Sequence, residues 1–159
     1  MPVMTSPGTH PLPYFCPFVV DQLDLPRIRG HRWYHDKHTG YYRTTDGYQT
    51  VHEILLGKAP IGYVWDHIDG DKLNNSRRNL RLATYSQNRA GERKRAGTTS
   101  VYKGVYKQTK GSKWIAQIKV NGRIKYLGSF SIEEDAARAY DKAAREVFGE
   151  FARTNFLVS

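Results

Sequence analysis

Tyr63-Val-Trp-Asp66-His67-Ile-Asp-Gly-Asp-Lys-Leu, Asn74-Asn-Ser-Arg-Arg-Asn79-Leu-Arg-Leu-Ala-Thr and Tyr85-Ser-Gln-Asn88-Arg follow one another without a break. The apolar run ending at Asp66-His67 reads as a strand. The Asp69-Gly-Asp71 that follows reads as a turn, since Asp side chains bond local backbone and Gly bends it. This makes Asp69 and Asp71 turn formers rather than ligands. Asn79-Leu-Arg-Leu-Ala-Thr opens a second strand after a polar loop, and Thr84 or Ser86 offers the cap for a short helix carrying Asn88. One histidine, one aspartate and two asparagines are thereby set on a strand–loop–strand–helix unit.

Upstream, Trp33-Tyr-His, Gly40-Tyr-Tyr-Arg-Thr and Gly47-Tyr-Gln-Thr-Val-His are aromatic and β-branched pieces parted by Thr-Gly and Asp-Gly. That pattern predicts short antiparallel strands with tight turns. Asp21 to Arg29 has room for a short helix limited by Pro26. Residues 1–18 are Pro-rich and predict an irregular arm.

Downstream, the period-2 alternation predicts strands at Val101 to Gln108, Lys113 to Val120 and Arg123 to Phe130, with Asn121-Gly122 as a type I′ turn. The turn sets Val120 opposite Arg123, Ile118 opposite Lys125, Gln117 opposite Tyr126 and Ala116 opposite Leu127. One face then holds Trp114, Ala116, Ile118, Val120 and Leu127; the other holds Lys113, Gln117, Lys119, Ile124 and Tyr126. Ser131 with Glu134 predicts a capping box. It opens a helix whose apolar stripe is Ala136, Ala137, Tyr140, Ala143, Ala144, Val147 and Phe148, stopped by Gly149. The helix covers the apolar face and leaves the basic, aromatic face open. Trp114 and Tyr140 are read as core.

The chain has 159 residues and a formal charge of +10, with a pI near 9.8 and a mean hydropathy of -0.66. Residues 1–90 are net +3 and residues 91–159 net +7. A basic surplus of this size points to a polyanion, nucleic acid before others. No apolar run reaches the ~18 residues of a membrane helix, and the Pro-broken N-terminus is not expected to be a signal peptide. One cysteine, Cys16, excludes an intrachain disulfide and a Cys-rich zinc ribbon. A reducing cytoplasm is the compartment expected. His31, His35 and His38 have a spacing that could bind zinc, but with no cysteine nearby a strand-borne surface role is preferred. Arg89 to Thr99 holds no large apolar residue and reads as a linker; its Arg93-Lys94-Arg95 cluster attracts phosphate.

The motif Asp66-His67-Ile-Asp-Gly-Asp-Lys-Leu-x-Asn75, with Asn79-Leu-Arg-Leu-Ala-Thr and Gln87-Asn88, resembles the HNH endonucleases, in particular the homing-type branch common in bacteriophage genomes. Trp33, Gly40-Tyr41 and Val51-His52-Glu-Ile-Leu extend the likeness over roughly residues 19–89. The resemblance implies a ββα-metal fold around one divalent cation, magnesium or manganese. It implies His67 as the general base, Asp66 and Asn88 as metal ligands, and Asn79 as the residue that fixes the loop and orients His67. His52 is expected to be structural, and Glu53 stands where the family often has Arg. Asn88 replaces the last histidine of the family name, which favours a hard cation over zinc.

Tyr102-Lys-Gly-Val-Tyr, Trp114-Ile-Ala-Gln-Ile, Tyr126-Leu-Gly-Ser-Phe, the Glu134 helix and Phe148-Gly-Glu-Phe-Ala with Asn155-Phe156 resemble the Apetala-two/ethylene-response-factor DNA-binding domain. That likeness implies a sheet lying in the major groove, with DNA-facing positions at Lys103, Tyr106, Gln108, Lys110, Lys113, Gln117, Lys119, Ile124 and Tyr126. Several arginines of the plant members are Tyr, Gln and Ile here, so bidentate guanine reading is reduced.

The expected fold class is α+β: a ββα-metal nuclease domain followed by a three-stranded antiparallel sheet packed on one C-terminal helix. The expected division is an arm at 1–18, a nuclease domain at 19–89, a basic linker at 90–98 and a reading domain at 99–159. The expected function is a metal-dependent, homing-type endonuclease on double-stranded DNA, acting as a monomer or weak dimer without membrane or small-molecule cofactor. The alternative is a DNA-binding regulator whose nuclease half is silent.

Overall fold

A computed structural model describes residues 18–94 and 97–157. The expected arm up to residue 17, and Arg95 of the basic cluster, lie outside the described residues. The chain forms two compact units, residues 1–82 and 83–159.

In the first unit a 3-10 turn leads into α1 (Leu25–Ile28), β1 (Trp33–Asp36), β2 (Tyr41–Thr44), α2 (Val51–Leu56) and β3 (Tyr63–His67). β4 (Leu80–Thr84) pairs with β3 in a two-stranded sheet, and the boundary between the units falls within β4. β1 and β2 are an antiparallel hairpin with Trp33 opposite Thr44. The core is Phe18, Val20, Leu25, Ile28, Val51 and Leu55. Phe18 packs edge-on with Trp33, ring centroids 5.1 Å apart, and tilted against Tyr42 at 5.6 Å. The Gly47–His52 piece is not the expected strand. Thr50 caps α2: its hydroxyl accepts from Glu53 N, and the Glu53 carboxylate accepts from Thr50 N. Two otherwise orphaned donors are satisfied by this box, and it outweighs the β-branched composition. Glu53 therefore has a structural task.

In the second unit α3 (Tyr85–Gly91) precedes β5 (Val105–Lys107), β6 (Trp114–Val120), β7 (Arg123–Phe130) and α4 (Glu133–Phe148). Of the two candidate caps, Thr84 caps α3 through a box with Gln87. α3 reaches into the expected linker, and Ala90 is buried with Ile118, Tyr140, Ala144 and Phe148. The sheet order is β5-β6-β7, and α4 covers it through Ala136, Ala137, Tyr140, Ala144 and Phe148. Val147, expected in the stripe, is exposed.

The β6–β7 turn has positive φ at both Asn121 (48°) and Gly122 (82°), as a type I′ turn requires. Register follows expectation from Val120↔Arg123 to Gln117↔Tyr126 and then shifts, so that Ala116 faces Gly128 instead of Leu127. Leu127 is the extra residue of a β-bulge, free to pack on both apolar clusters beneath the sheet. Gly128 tolerates the bulge at φ 143°, where a Cβ would lie 2.9 Å from the Phe130 ring. The Ser131–Glu134 capping box does not form: Ile132 is the N-cap and no side chain caps the helix. Glu133 accepts from Ser100 Oγ and Val101 N, while Glu134 accepts from the Tyr102 hydroxyl. These bonds tie the helix start to the strand-entry segment.

Candidate active site and nucleic-acid interface

β3 delivers Asp66 and His67 at its end, both buried. The loop between β3 and β4 is held by its own polar side chains. Asp69 accepts from Asp71 N at 2.8 Å and from Asn74 Nδ2 at 2.7 Å; Asp71 accepts from Leu73 N at 2.9 Å. Both are turn formers, as expected. Arg77 anchors the loop by two bonds to the Asp24 carboxylate at 2.8 and 2.7 Å.

Asn79 fixes this loop. Its Oδ1 accepts from Asp69 N at 3.1 Å, and its Nδ2 donates to Asp69 Oδ1 at 2.9 Å and Asn74 O at 2.7 Å. The expected bond that orients His67 comes from another residue. Asn75 Oδ1 lies 3.3 Å from His67 Nε2. Asn79 acts on His67 through the backbone, since its carbonyl accepts from Ile68 N at 2.9 Å.

His67 packs in an aromatic group, its ring centroid 5.9 Å from Tyr41 and 5.5 Å from His52. Burial holds its imidazole below the ordinary histidine value, against the Asn75 hydrogen bond and the charges of Asp69 and Asp66. Burial likewise pushes His52 down to about 4, helped by His67. A neutral imidazole is therefore the form at pH 7, the state a general base needs.

Asp66 Oδ2 accepts from Arg81 Nε at 2.9 Å, both side chains largely enclosed. Asn88 lies on α3, in the second unit. Among the described residues no three His, Cys, Asp or Glu side chains gather as a metal cage. The donors of the expected set, one carboxylate and one amide oxygen, fit a hard cation that keeps water and phosphate oxygens in its shell. Sequence reasoning missed the tasks of Asn75 and Arg81. Asn75 was visible in the motif, but nothing local separated its task from that of Asn79.

In the second unit Gln117 faces Tyr126 and Lys119 faces Ile124 across β6–β7, so these four share one face. Tyr106, opposite Ile115, extends the same row. Tyr106, Lys119, Ile124 and Tyr126 are exposed, as are Gln108, Lys110 and Lys113. Gln117 is half-buried.

Lys103 departs from the expectation of a DNA contact. Its ammonium donates to the carbonyls of Arg89, Ala90 and Glu92, which caps the C-terminal end of α3 with positive charge. Burial draws its pKa down to about 8. Lys103→Met is expected to leave the salt slope of duplex DNA binding unchanged and to speed amide exchange at the end of α3. A phosphate contact would instead lower that slope by about 0.9, and a loss of that size in equilibrium titrations contradicts the capping role.

No helix among the described residues is long and apolar enough to cross a membrane. The HNH endonuclease family matches residues 49–90, and the AP2 domain matches residues 100–150. An uncharacterized HNH endonuclease of Acanthamoeba polyphaga mimivirus is 38% identical over 136 residues, covering 82% of this chain and 70% of that protein. Protein 3.8 of Escherichia phage T7 is 32% identical over 113 residues, covering 71% and 93%. The dehydration-responsive element-binding protein 2A of Oryza sativa subsp. indica is 44% identical over 69 residues, covering 42% of this chain and 25% of its own length. A strand-end Asp-His pair with a locked asparagine loop, joined to a sheet-and-helix unit, defines a two-part protein with a nuclease-type half and a DNA-binding-type half. The chain belongs to the HNH endonuclease family and carries an AP2 domain in its C-terminal part.

Proposed function

We propose that the chain is a metal-dependent, homing-type endonuclease that hydrolyses phosphodiester bonds in double-stranded DNA. The observation that carries this reading is the buried His67 beside Asp66, at the start of a loop locked by Asn75 and Asn79. His67 takes a proton from the attacking water. Asp66 and Asn88 are the ligands assigned to one magnesium or manganese ion, which when bound stabilises charge on the phosphate and the departing oxygen. Asn79 holds the loop that carries His67. The β5–β7 face, with Tyr106, Gln117, Lys119 and Tyr126, binds the duplex, and the exposed Gln108, Lys110 and Lys113 add to its grip. This division of labour follows the proposed nuclease domain at 19–89 and reading domain at 99–159. A single site of this kind cuts one strand per engagement, so a monomer nicks, and a double-strand break needs a dimer or a second event. Relatives in a phage and a virus support action in the host cytoplasm.

The second reading, a DNA-binding regulator with a silent nuclease half, draws on the Arg81 guanidinium that pairs the Asp66 carboxylate. Chelation separates the two. EDTA is expected to stop cleavage of duplex DNA while leaving binding intact, and magnesium or manganese to restore it. Asp66→Ala is expected to remove that restoration, since Asp66 supplies the only charged ligand assigned. Cleavage that survives exhaustive chelation contradicts the single-metal mechanism. Binding without cleavage at any metal concentration favours the regulator.

A further inference from the structure

Asn75 is 1% exposed and its amide has no freedom to turn over. Nδ2 donates to Lys72 O at 3.2 Å and Leu73 O at 3.3 Å, using both of its protons. The backbone amide of Asn75 donates to Val19 O at 2.8 Å, so the residue is also fixed by a chain segment outside its loop. The group presented to His67 is then the carbonyl oxygen, 3.3 Å from Nε2. An oxygen that can only accept requires a donor opposite it. A ring with its proton on Nδ1 would set two lone pairs against each other in a buried place, a cost comparable to a lost hydrogen bond.

We propose that Asn75 is the positioning residue of the His67 imidazole: its carbonyl oxygen takes the Nε2–H and leaves Nδ1 as the atom that receives the proton of water. The second imidazole of the group packs against the first. His52 stands beside the pair, its ring centroid 5.5 Å from that of His67, and its Nδ1 is buried without a partner among the described residues. Tyr41, 5.3 Å from His52 and 5.9 Å from His67, closes the side of the group and limits rotation of either ring. This inference rests on His67 being the base. The position of its ring proton is nevertheless measurable without any cleavage.

The test uses the full-length, metal-free chain with nitrogen-15 in its histidines, at a pH of about 8 where both rings are neutral. The His67 ring proton is expected on Nε2, exchanging slowly enough to give its own resonance. Asn75→Asp keeps an acceptor toward Nε2 but sets its second oxygen against Lys72 O and Leu73 O, so it is expected to retain that resonance and more of the cleavage than Asn75→Leu, at some loss of loop stability. Asn75→Leu removes the acceptor. It is expected to lose the resonance and to lower kcat about 10- to 100-fold, as loss of partners that orient a functional imidazole does, with little change in KM. A wild-type proton on Nδ1 overturns the proposal. So does wild-type kcat in Asn75→Leu, or equal damage from Asp and Leu, which would mark a merely structural loop residue. Should Asn75→Leu fail to fold, the wild-type ring proton and Asn75→Asp decide. Cleavage at the wild-type rate by His67→Ala, with the ring proton of the unsubstituted chain found on Nε2, would instead defeat the base assignment alone.

Discussion

His67→Ala is expected to lower the rate of duplex DNA cleavage by about 100- to 10,000-fold, the usual cost of a lost general base, and to leave duplex binding nearly unchanged. The separation is expected because His67 is buried at the end of β3, whereas the exposed side chains assigned to the duplex, Tyr106, Lys119 and Tyr126, lie on β5–β7. The pH profile carries a second signature. Burial lowers the His67 pKa from its ordinary value, so the neutral form is regained at more acid pH than for a free histidine. Wild-type cleavage is expected to rise with pH at a midpoint below about 6.5 and to be flat through neutrality. Single-turnover rates across that range measure it. A midpoint above 6.5, or wild-type rates in the Ala variant, removes His67 from the role.

Acid is expected to destabilise the first unit through its buried imidazoles. Burial lowers His52 from 6.5 to about 4 and lowers His67 in the same direction. The unfolded chain consequently binds more protons than the folded one between those values, and stability is fullest above pH 6.5 and lost as pH falls toward 4. For His52 alone the shift corresponds to roughly 3 kcal/mol, a large part of the ~5–15 kcal/mol that holds a typical domain. Urea unfolding at a series of pH values measures the slope. His52→Gln, which does not titrate, is expected to flatten most of it. An unchanged slope in that variant contradicts the burial of a neutral His52.

How much of this was legible in the sequence depends on how local each cause is. The Asn121-Gly122 turn and the register beside it were readable because two residues dictate the backbone there. The Asp69 and Asp71 turns were readable for the same reason. The helix α2 was missed because Val51-His-Glu-Ile-Leu-Leu has strand-like composition, while the deciding bonds run between Thr50 and Glu53. The bulge at Leu127 was missed because alternation assumes an unbroken ladder, and Gly128 was its only local sign.

At the site, the motif singled out Asp66 and His67, which stand side by side at the end of β3, and the loop-fixing task of Asn79 was implied by the resemblance. Asn75 could not be assigned locally: its orientation depends on Lys72 O, Leu73 O and Val19, the last far away in sequence. Lys103 misled for the mirror-image reason. The resemblance implied a DNA contact at this position, but the partners of Lys103 are carbonyls at the end of the preceding helix.

The central claim, that this chain cuts duplex DNA, is tested most directly by incubating the full-length protein with phage genomic DNA and magnesium and sequencing every new end. The account predicts recurrent ends at a small number of sites, mostly single-strand nicks, absent with EDTA and absent with His67→Ala. Intact DNA under conditions where the protein is shown to bind it, or the same ends with His67→Ala, would contradict it.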